Sequence, residues 1–191
     1  MAALTFYFDP LCPWTWLTSQ WVREARQHRP IDVQWKFFSL AESNGRPDPL
    51  WRAPLRVEAL VRRSGGNDAV DKLYLALGKA IHDDGVNVQE DGALERAIEE
   101  ALEKAGFGRA LLQQAMDDPS TMDDVLAEHR EAVDKYQAYG VPWLVLEGQE
   151  FGFNGPIINE VPTGDTAGQL WDHMSWVLTQ PYFYEFKRER A

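Results

Sequence analysis

The N-terminal part of the chain shows two different hydrophobic patterns, which predict a strand, a helix and a second strand. The segment "LTFYF" (Leu4 to Phe8) is almost entirely apolar, as expected for a strand buried on both faces. From Pro13 onwards apolar residues recur at helical spacing until Arg29 and Pro30 stop the pattern. "IDVQWKFF" (Ile31 to Phe38) then alternates with the period of two that is typical of a strand. This order predicts a parallel crossover unit.

The middle of the chain predicts helices. Ser39 to Pro49 is rich in turn-forming residues and is expected to be a loop. The segment "GALERAIEEALEKAG" has one apolar stripe with glutamates outside it, and Gly106 is expected to end this helix. A further helix is predicted from Asp123 to Tyr139, with Ser120 or Asp123 near its start. We therefore expect an all-helical insertion between Pro49 and Pro119.

The C-terminal part returns to strands and ends in a helix. Trp143 to Leu146 and Glu150 to Phe153 flank Gly148 and Gln149, which predicts a hairpin with a type II′ turn. A last helix is expected to begin between Thr163 and Thr166, where capping side chains are available, and the terminal "KRERA" is expected to fray. The predicted organisation is an α/β domain formed by residues 1–45 and 120–191, with a helical subdomain at 46–119.

Charge and composition exclude several classes of function. The 191 residues carry a net charge of −11, and the segment from Asp83 to Asp134 holds 15 acidic and 4 basic residues, so it accounts for the whole excess. Such a surface repels nucleic acid and anionic lipid, so we expect neither as a partner. No apolar run approaches the ~18 residues of a membrane span. The pattern of Cys, His and Asp predicts no metal site, and there is no phosphate-binding glycine loop or nucleophile elbow.

Cysteine usage indicates the cellular setting. A single cysteine cannot form an internal disulfide, so the sequence favours a reducing cytoplasm. The opening "MAALTFYFDP" has neither the basic stretch nor the apolar segment of a secretory signal, which supports the same expectation.

The single cysteine, Cys12, lies where the first strand ends and the first helix begins. There its sulfur would face unpaired backbone N–H groups and the positive end of the helix dipole, which predicts a lowered thiol pKa and a reactive thiolate. Pro13 fits the first helical turn and favours exposure of the residue before it. The alternative is that Cys12 is a small packed hydrophobic residue.

Several segments resemble a known group of proteins. "CPWT" after the first strand, a helical insertion and "GVP" before the third strand resemble thioredoxin-fold proteins such as DsbA, FrnE-type oxidoreductases, kappa-class glutathione transferases and hydroxychromene-carboxylate isomerases. "FDPLCPWTWLTSQW", "GVPWLVL", "GPIINEVPTGDTAGQLWD" and "PYFYEFKRER" are similar to the actinobacterial mycothiol-dependent nitroreductases and disulfide reductases. The resemblance implies a thioredoxin fold with an inserted all-helical subdomain.

The resemblance also implies roles for residues near Cys12. It makes Pro142 a cis proline opposite the cysteine, which would leave the Val141 backbone free to pair with a thiol substrate. Pro13 and Trp14 would then shape the surface beside the sulfur. The alternatives are a trans proline that opens an edge strand and a tryptophan that belongs to the core.

Thr15 departs from the family pattern, because the reductases have a second cysteine at this position. Without it, a mixed disulfide at Cys12 would have to be resolved by a second small thiol. The Thr15 hydroxyl could donate a hydrogen bond to the Cys12 thiolate. Alternatively, Thr15 only caps the first turn or is an engineered replacement of a cysteine.

Three further residues are candidates for cofactor binding. His82 falls at a helix end in the insertion that would cover the site, and the family has a similar Ile-His step. Asp165 and Thr166 begin the last helix, and the corresponding loop of the kappa-class transferases binds a thiol cofactor. For all three, an ordinary cap or loop role is the alternative.

Three hypotheses about function follow. In the first, Cys12 is the nucleophile of a thiol-disulfide oxidoreductase, with mycothiol or a glutathione-like thiol as resolving partner and a disulfide or electrophile as substrate. The second is a transferase or isomerase of the kappa-class glutathione transferase or hydroxychromene-carboxylate isomerase type, in which Thr15 or Cys12 activates a bound thiol. The third is a binding protein that lost its chemistry with the second cysteine. The sequence leaves the oligomeric state open, with a homodimer as one alternative.

Overall fold

The computed structural model describes residues 2–46, 48–185 and 187–188. Its strands are β1 (Ala2–Phe8), β2 (Ile31–Phe37), β3 (Trp143–Leu146) and β4 (Phe153–Asn154). Its helices are α1 (Pro13–Ala25), α2 (Leu40–Ser43), α3 (Pro49–Gly78), α4 (Ala93–Lys104), α5 (Leu111–Asp117), α6 (Ser120–Tyr136) and α7 (Asp165–Val177). A π-helical turn, Lys79–Asp83, continues α3.

The four strands form one mixed sheet in the order β2-β1-β3-β4. β1 is parallel to β2 and antiparallel to β3, and β3 is antiparallel to β4. The crossover from β1 through α1 to β2 confirms the predicted parallel unit. β1 is an inner strand, and its aromatic residues from Phe6 to Phe8 are fully buried, which explains why the segment before Cys12 is so apolar. The sheet thus fixes the backbone that leads into the cysteine.

The helices between β2 and β3 bury a second group of apolar residues. This cluster includes Leu73 and Leu77 of α3, Ile98 and Leu102 of α4 and Ala115 of α5. α3 also contributes to the main core through residues such as Leu55 and Tyr74, so it packs against both groups. The helical insertion is therefore present, while the domain boundaries at 46–119 stay a prediction.

α3 is broken at Gly66, which has φ 64° and ψ −152°. This conformation is open to glycine and strained for other residues. The break divides the helix into two arms with different directions. Both arms contribute side chains to the outer edge of β2.

Side chains of the neighbouring helices cover the outer edge of β2. The amide of Trp35 donates to Asn67 Oδ1 at 2.9 Å, and Asn67 Nδ2 donates to the Val33 carbonyl at 2.8 Å. Farther along, the amide of Phe37 donates to Glu128 Oε2 at 2.7 Å, and Arg62 donates to the Trp35 carbonyl at 2.8 Å. Helix side chains therefore supply the hydrogen bonds that a fifth strand would make.

Some local predictions are wrong. The expected loop from Ser39 to Pro49 contains α2, because the Ser39 hydroxyl accepts from the amide of Glu42 and caps a short helix. The predicted second hairpin strand starts at Phe153 instead of Glu150. The turn is also different: Gln149 N donates to Leu146 O, which places Gly148 (φ 80°) third in the turn, as in type II.

The ends of two helices also differ from prediction. α6 begins at Ser120 and ends at Tyr136, because Gln137 adopts a left-handed conformation with φ 55°. α7 has no side-chain cap within the described residues, and Glu24 of α1 instead accepts from the amide of Gly164. The prediction that the C-terminal tail frays falls partly on 189–191, which lie outside the described residues.

Candidate active site around Cys12

Cys12 is the N-cap residue of α1, with Pro13 at the first helical position as predicted. Its thiol is free, its side chain is 7% exposed, and its Sγ lies 3.7 Å from the carbonyl oxygen of Val141. The backbone amide of Cys12 donates to the carbonyl of Asp9 at 3.0 Å, which closes a turn between β1 and the helix. The sulfur is therefore held at the helix start and is narrowly open to solvent.

Burial raises the pKa of the Cys12 thiol, so the expected lowering is wrong for the free protein. The charge of Asp9 acts in the same direction, while hydrogen bonds from Thr15 and from the Trp14 amide act against it. The sequence argument identified the helix N-terminus correctly but ignored the loss of water around the sulfur. In the free protein the thiol form therefore dominates at neutral pH.

The Thr15 side chain is fully buried one helical turn after Cys12. Its hydroxyl lowers the pKa of Cys12, yet within the described residues it forms no hydrogen bond of good geometry. A hydroxyl that lacks a partner while the sulfur is protonated gains one when the sulfur becomes negative. This placement fits a role in stabilising the thiolate, and that role stays a proposal.

Val141 and Pro142 face Cys12 from the loop before β3. The Val141–Pro142 peptide bond is cis, as the resemblance implies. The Val141 carbonyl contacts the sulfur. The backbone amide of Val141 donates no hydrogen bond among the described residues. Trp14 is half-buried and packs with Cys12 and Val141 in one apolar cluster, whereas Pro13 is exposed. The structure thus brings Val141 and Trp14 to Cys12, with Pro142 and Pro13 next to these residues along the chain.

His82 reaches the loop that carries Cys12 from the helical insertion. It lies in the π-helical turn, and its Nε2 is 2.8 Å from the carbonyl oxygen of Pro10. Since a carbonyl only accepts, Nε2 carries the proton and Nδ1 is left as an acceptor. Burial lowers the pKa of His82, against the effects of Pro10 and Asp83, which favours the neutral ring. His82 therefore contacts the loop that carries Cys12, and its role in cofactor binding stays a prediction.

Trp16 of α1 packs against the π-helical turn and forms a hydrogen bond with it. Its ring stacks on His82 with centroids 6.1 Å apart, and its Nε1 donates to Asp83 at 2.8 Å. The face of this ring also packs against Gly78, where an added Cβ would stand 2.1 Å from ring carbons. Gly78 is therefore needed for close packing and not for its backbone angles.

We expect Gly78→Ala to displace Trp16 and to move His82 away from Pro10. Overpacking of this kind costs ~1–3 kcal/mol, and a loss of this size is expected in the free energy of unfolding measured with urea. Gly108→Ala is the matched control, because a Cβ there has no atom within 4 Å. Equal stability of the two variants would contradict the packing role of Gly78.

Asp165 and Thr166 are not brought to this site, so their assignment to cofactor binding is corrected. Asp165 faces Arg29, which lies beyond the C-terminal end of α1 and also pairs with Asp172 at 2.7 Å. Because α1 has 13 residues, its two ends are about 20 Å apart. The first turn of α7 serves to attach that helix to the far end of α1.

Asp9 is a further buried residue of this site that the sequence did not single out. This residue is 1% exposed, and its two carboxylate oxygens accept from the amides of Leu11 at 2.9 Å and Leu40 at 2.8 Å. Burial raises the pKa of Asp9 to about 6, although both hydrogen bonds oppose this. The signal was present in "FYFDPLC", where one acidic residue follows an entirely apolar run.

The described residues hold no group of three or more His, Cys, Asp or Glu that could bind a metal ion. In the same part of the chain, no helix is both long and apolar enough to cross a bilayer.

The sheet order, the helical insertion and the cysteine at the start of α1 define a DsbA-like thioredoxin fold. A probable DsbA oxidoreductase, SCO1869 from Streptomyces coelicolor, superimposes with a TM-score of 0.63 at 16% identity, over 97% of this chain and 94% of that one. The 2-hydroxychromene-2-carboxylate isomerase (HCCA isomerase) gives a TM-score of 0.63 at 16% identity, over 92% and 95% of the two chains. These likenesses establish the fold.

Similarity in sequence assigns the chain to a narrower family within this fold. A family model described as Rv2466c-like, mycothiol-dependent nitroreductase Rv2466c, matches residues 11–188, and the chain belongs to this family. An uncharacterized protein, Rv2286c from Mycobacterium tuberculosis (strain ATCC 25618 / H37Rv), is 36% identical over 100% of this chain and 84% of its own length. The family is one of thiol-dependent oxidoreductases, as the resemblance implied.

Proposed function

We propose that this protein is a monothiol oxidoreductase that uses Cys12 as nucleophile and a mycothiol-like thiol to complete the reaction. The observation that carries the proposal is the placement of the Cys12 sulfur at the start of α1, 3.7 Å from the Val141 carbonyl and beside the buried Thr15 hydroxyl. Family membership supports the choice of thiol. A low-molecular-weight disulfide or another small electrophile is the proposed substrate.

The reaction follows from thiol-disulfide exchange. The Cys12 thiolate attacks one sulfur of the substrate disulfide, the S–S bond breaks, and the other sulfur leaves as a thiolate that takes up a proton. A second small thiol then attacks the mixed disulfide at its substrate sulfur and releases the Cys12 thiolate. One half of the substrate disulfide thus leaves as a free thiol, and the other half leaves as a new disulfide with the small thiol, which is the reductant consumed in each turnover.

The surroundings of Cys12 fit a small polar thiol. The Val141 amide is available to donate to a carbonyl group of the thiol molecule, and Pro13 and Trp14 border the sulfur. An opening of about 120 Å³ is lined by Asp9, by the mainly apolar side chains of Leu11, Leu40, Ala41 and Trp51, and by Asn44 and Arg46, which can donate hydrogen bonds. These donors match the hydroxyl and amide groups of a sugar-linked thiol.

Incubation with a mixed-disulfide donor is expected to give a 1:1 adduct at Cys12, which persists until free thiol is added. Intact mass measures this directly, because no other cysteine is present. Cys12→Ser is the control and should gain no mass. If the wild-type protein gains no mass and yet turns over an electrophile in the presence of mycothiol, this proposal is rejected in favour of the transferase or isomerase.

The second candidate is a thiol-dependent transferase or isomerase. The raised pKa of Cys12 favours it, because a residue that stays protonated can donate to a bound thiolate without being oxidised. The similarity in fold to the HCCA isomerase is compatible with this chemistry. In that case Cys12→Ser should keep substantial activity, whereas the oxidoreductase proposal requires a nearly complete loss.

We propose a cytoplasmic setting, because a free active thiol requires reducing conditions. The acidic helices make nucleic acid and anionic membranes unsuitable as partners.

A further inference from the structure

We propose that Asp9 is a positioning residue that controls the Cys12 chemistry, since its carboxylate charge opposes loss of the thiol proton and its protonation removes that opposition. This inference rests on Cys12 being the reactive group of the proposed function. It adds a proton-linked control to a site in which Asp9 had no assigned part.

The backbone places Asp9 next to Cys12 in the turn between β1 and α1. It directly follows the last residue of β1, and the Asp9 carbonyl accepts from the Cys12 amide. Its carboxylate joins two segments, because it binds the amide of Leu11 in the cysteine loop and that of Leu40 at the start of α2. These bonds fix the charge three residues from the sulfur, inside a buried region where screening by water is weak.

The surroundings of Asp9 offer little neutralisation of its charge. Tyr74 of α3 is fully buried, and burial raises its pKa, with the charges of Cys12 and Asp9 acting in the same direction, so the phenol stays neutral. His82 contacts the adjacent Pro10 and is favoured in its neutral form. Arg46 lies on the rim of the opening that Asp9 lines, with an exposed side chain. Tyr7, two residues before Asp9, also stays neutral because burial raises its pKa. This leaves Cys12, whose pKa the charge of Asp9 raises, as the nearby acid that competes with Asp9.

Asp9 is one of the residues that line that opening, and 1% of its surface is exposed. With burial raising its pKa to about 6, Asp9 is protonated at lower pH and ionised at neutral pH. Two interacting acids of this kind titrate as a coupled pair. Once Asp9 is ionised, moving the thiol proton from Cys12 to Asp9 changes neither the total charge nor the number of bound protons. The ratio of these two forms, and with it this fraction of thiolate, therefore does not depend on pH.

A pH profile with a plateau is the consequence. The rate of alkylation of Cys12 by iodoacetamide should rise about tenfold per pH unit below pH 6, stay flat over an interval above it, and rise again. The length of the flat interval, in pH units, equals the amount by which the charge of either group raises the pKa of the other. A single titrating thiol gives no plateau, and a purely structural Asp9 gives none either.

The experiment compares wild type with Asp9→Asn and Glu58→Gln. Asp9→Asn should lose the plateau and react faster at pH 7, by roughly tenfold if the interaction amounts to about one pKa unit. Glu58→Gln alters another fully buried carboxyl and should keep the wild-type profile. Ultraviolet absorbance of the thiolate provides a second readout of the same titration.

The wild-type profile alone decides the matter if Asp9→Asn does not fold. A wild-type rate that rises steadily through one pKa, or an Asp9→Asn protein with an unchanged profile, would overturn the inference. Alkylation needs no mycothiol and no substrate, so this result is independent of the adduct experiment. A plateau without adduct formation would support the Asp9 coupling and reject the proposed function.

Discussion

Replacing Thr15 by cysteine is expected to create an internal disulfide with Cys12 and to increase disulfide reductase turnover by about tenfold or more. Residues three apart at the start of a helix have Cα atoms about 5 Å apart, which lies within the Cα–Cα range of a disulfide once the Cβ atoms turn towards each other to about 4 Å. The resolving thiol would then be part of the protein, and the second small thiol would no longer limit the reaction. Thiol counting and steady-state rates measure both effects.

The matched control is the double variant Cys12→Ser with Thr15→Cys, which has a thiol at position 15 and no partner. It should form no internal disulfide and should show no reductase turnover. Thr15→Val tests the other role of this position, because it keeps the shape and removes the hydroxyl. We expect a further rise in the pKa of Cys12 and slower alkylation at neutral pH. An unchanged thiol pKa in Thr15→Val would reduce Thr15 to a packing residue.

A second large effect is expected from Glu58→Gln, in the stability of the fold. Glu58 is fully buried on α3, and neither of its carboxyl oxygens has a hydrogen-bond partner within the described residues. Burial raises its pKa well above the usual value of 4.5, although the charges of Arg62 and Arg23 act against this. The folded protein therefore holds a proton that the unfolded chain releases.

The sign of the pH dependence follows from this difference. The contribution of Glu58 to stability is fully present below pH 4.5 and is lost as the pH rises through the folded pKa. Glu58→Gln should be more stable than wild type at pH 8, by ~1–3 kcal/mol, and the gain should shrink towards pH 5. Thermal unfolding at several pH values measures it, with the exposed Glu100→Gln as control. A gain that does not vary with pH would contradict the argument.

The sequence predicted the elements that lead into the site because their signals are local. The apolar run of β1, the proline after Cys12 and the alternation of β2 each specify a conformation within a few residues. The resemblance added the cis state of Pro142, which a Val-Pro step alone does not show. Ser39 shows the limit of this approach, because a serine among turn formers fits a loop as well as a short capped helix.

The site could be predicted only in part, because its energetics depend on contacts between distant segments. The pKa of Cys12 depends on how closely Val141 and the aromatic residues of the core exclude water from the sulfur. The environment of Asp9 depends on the amide of Leu40, 31 positions away. Asp165 was misassigned because its partner, Arg29, is 136 positions distant. None of these separations leaves a periodic signal in the sequence.

The hydrogen bonds that join β2 to the side chains of Asn67, Glu128 and Arg62 affect how copies of this protein can associate. An uncovered edge strand offers amides and carbonyls to the strand of another molecule, which is a common start of aggregation and of domain swapping. Here those groups on Trp35 and Phe37 are already engaged. At the opposite edge of the sheet, β4 is only two residues long. A partially unfolded copy thus finds no long template on the native sheet, and self-association through strand pairing would first require both arms of α3 and also α6 to detach from β2.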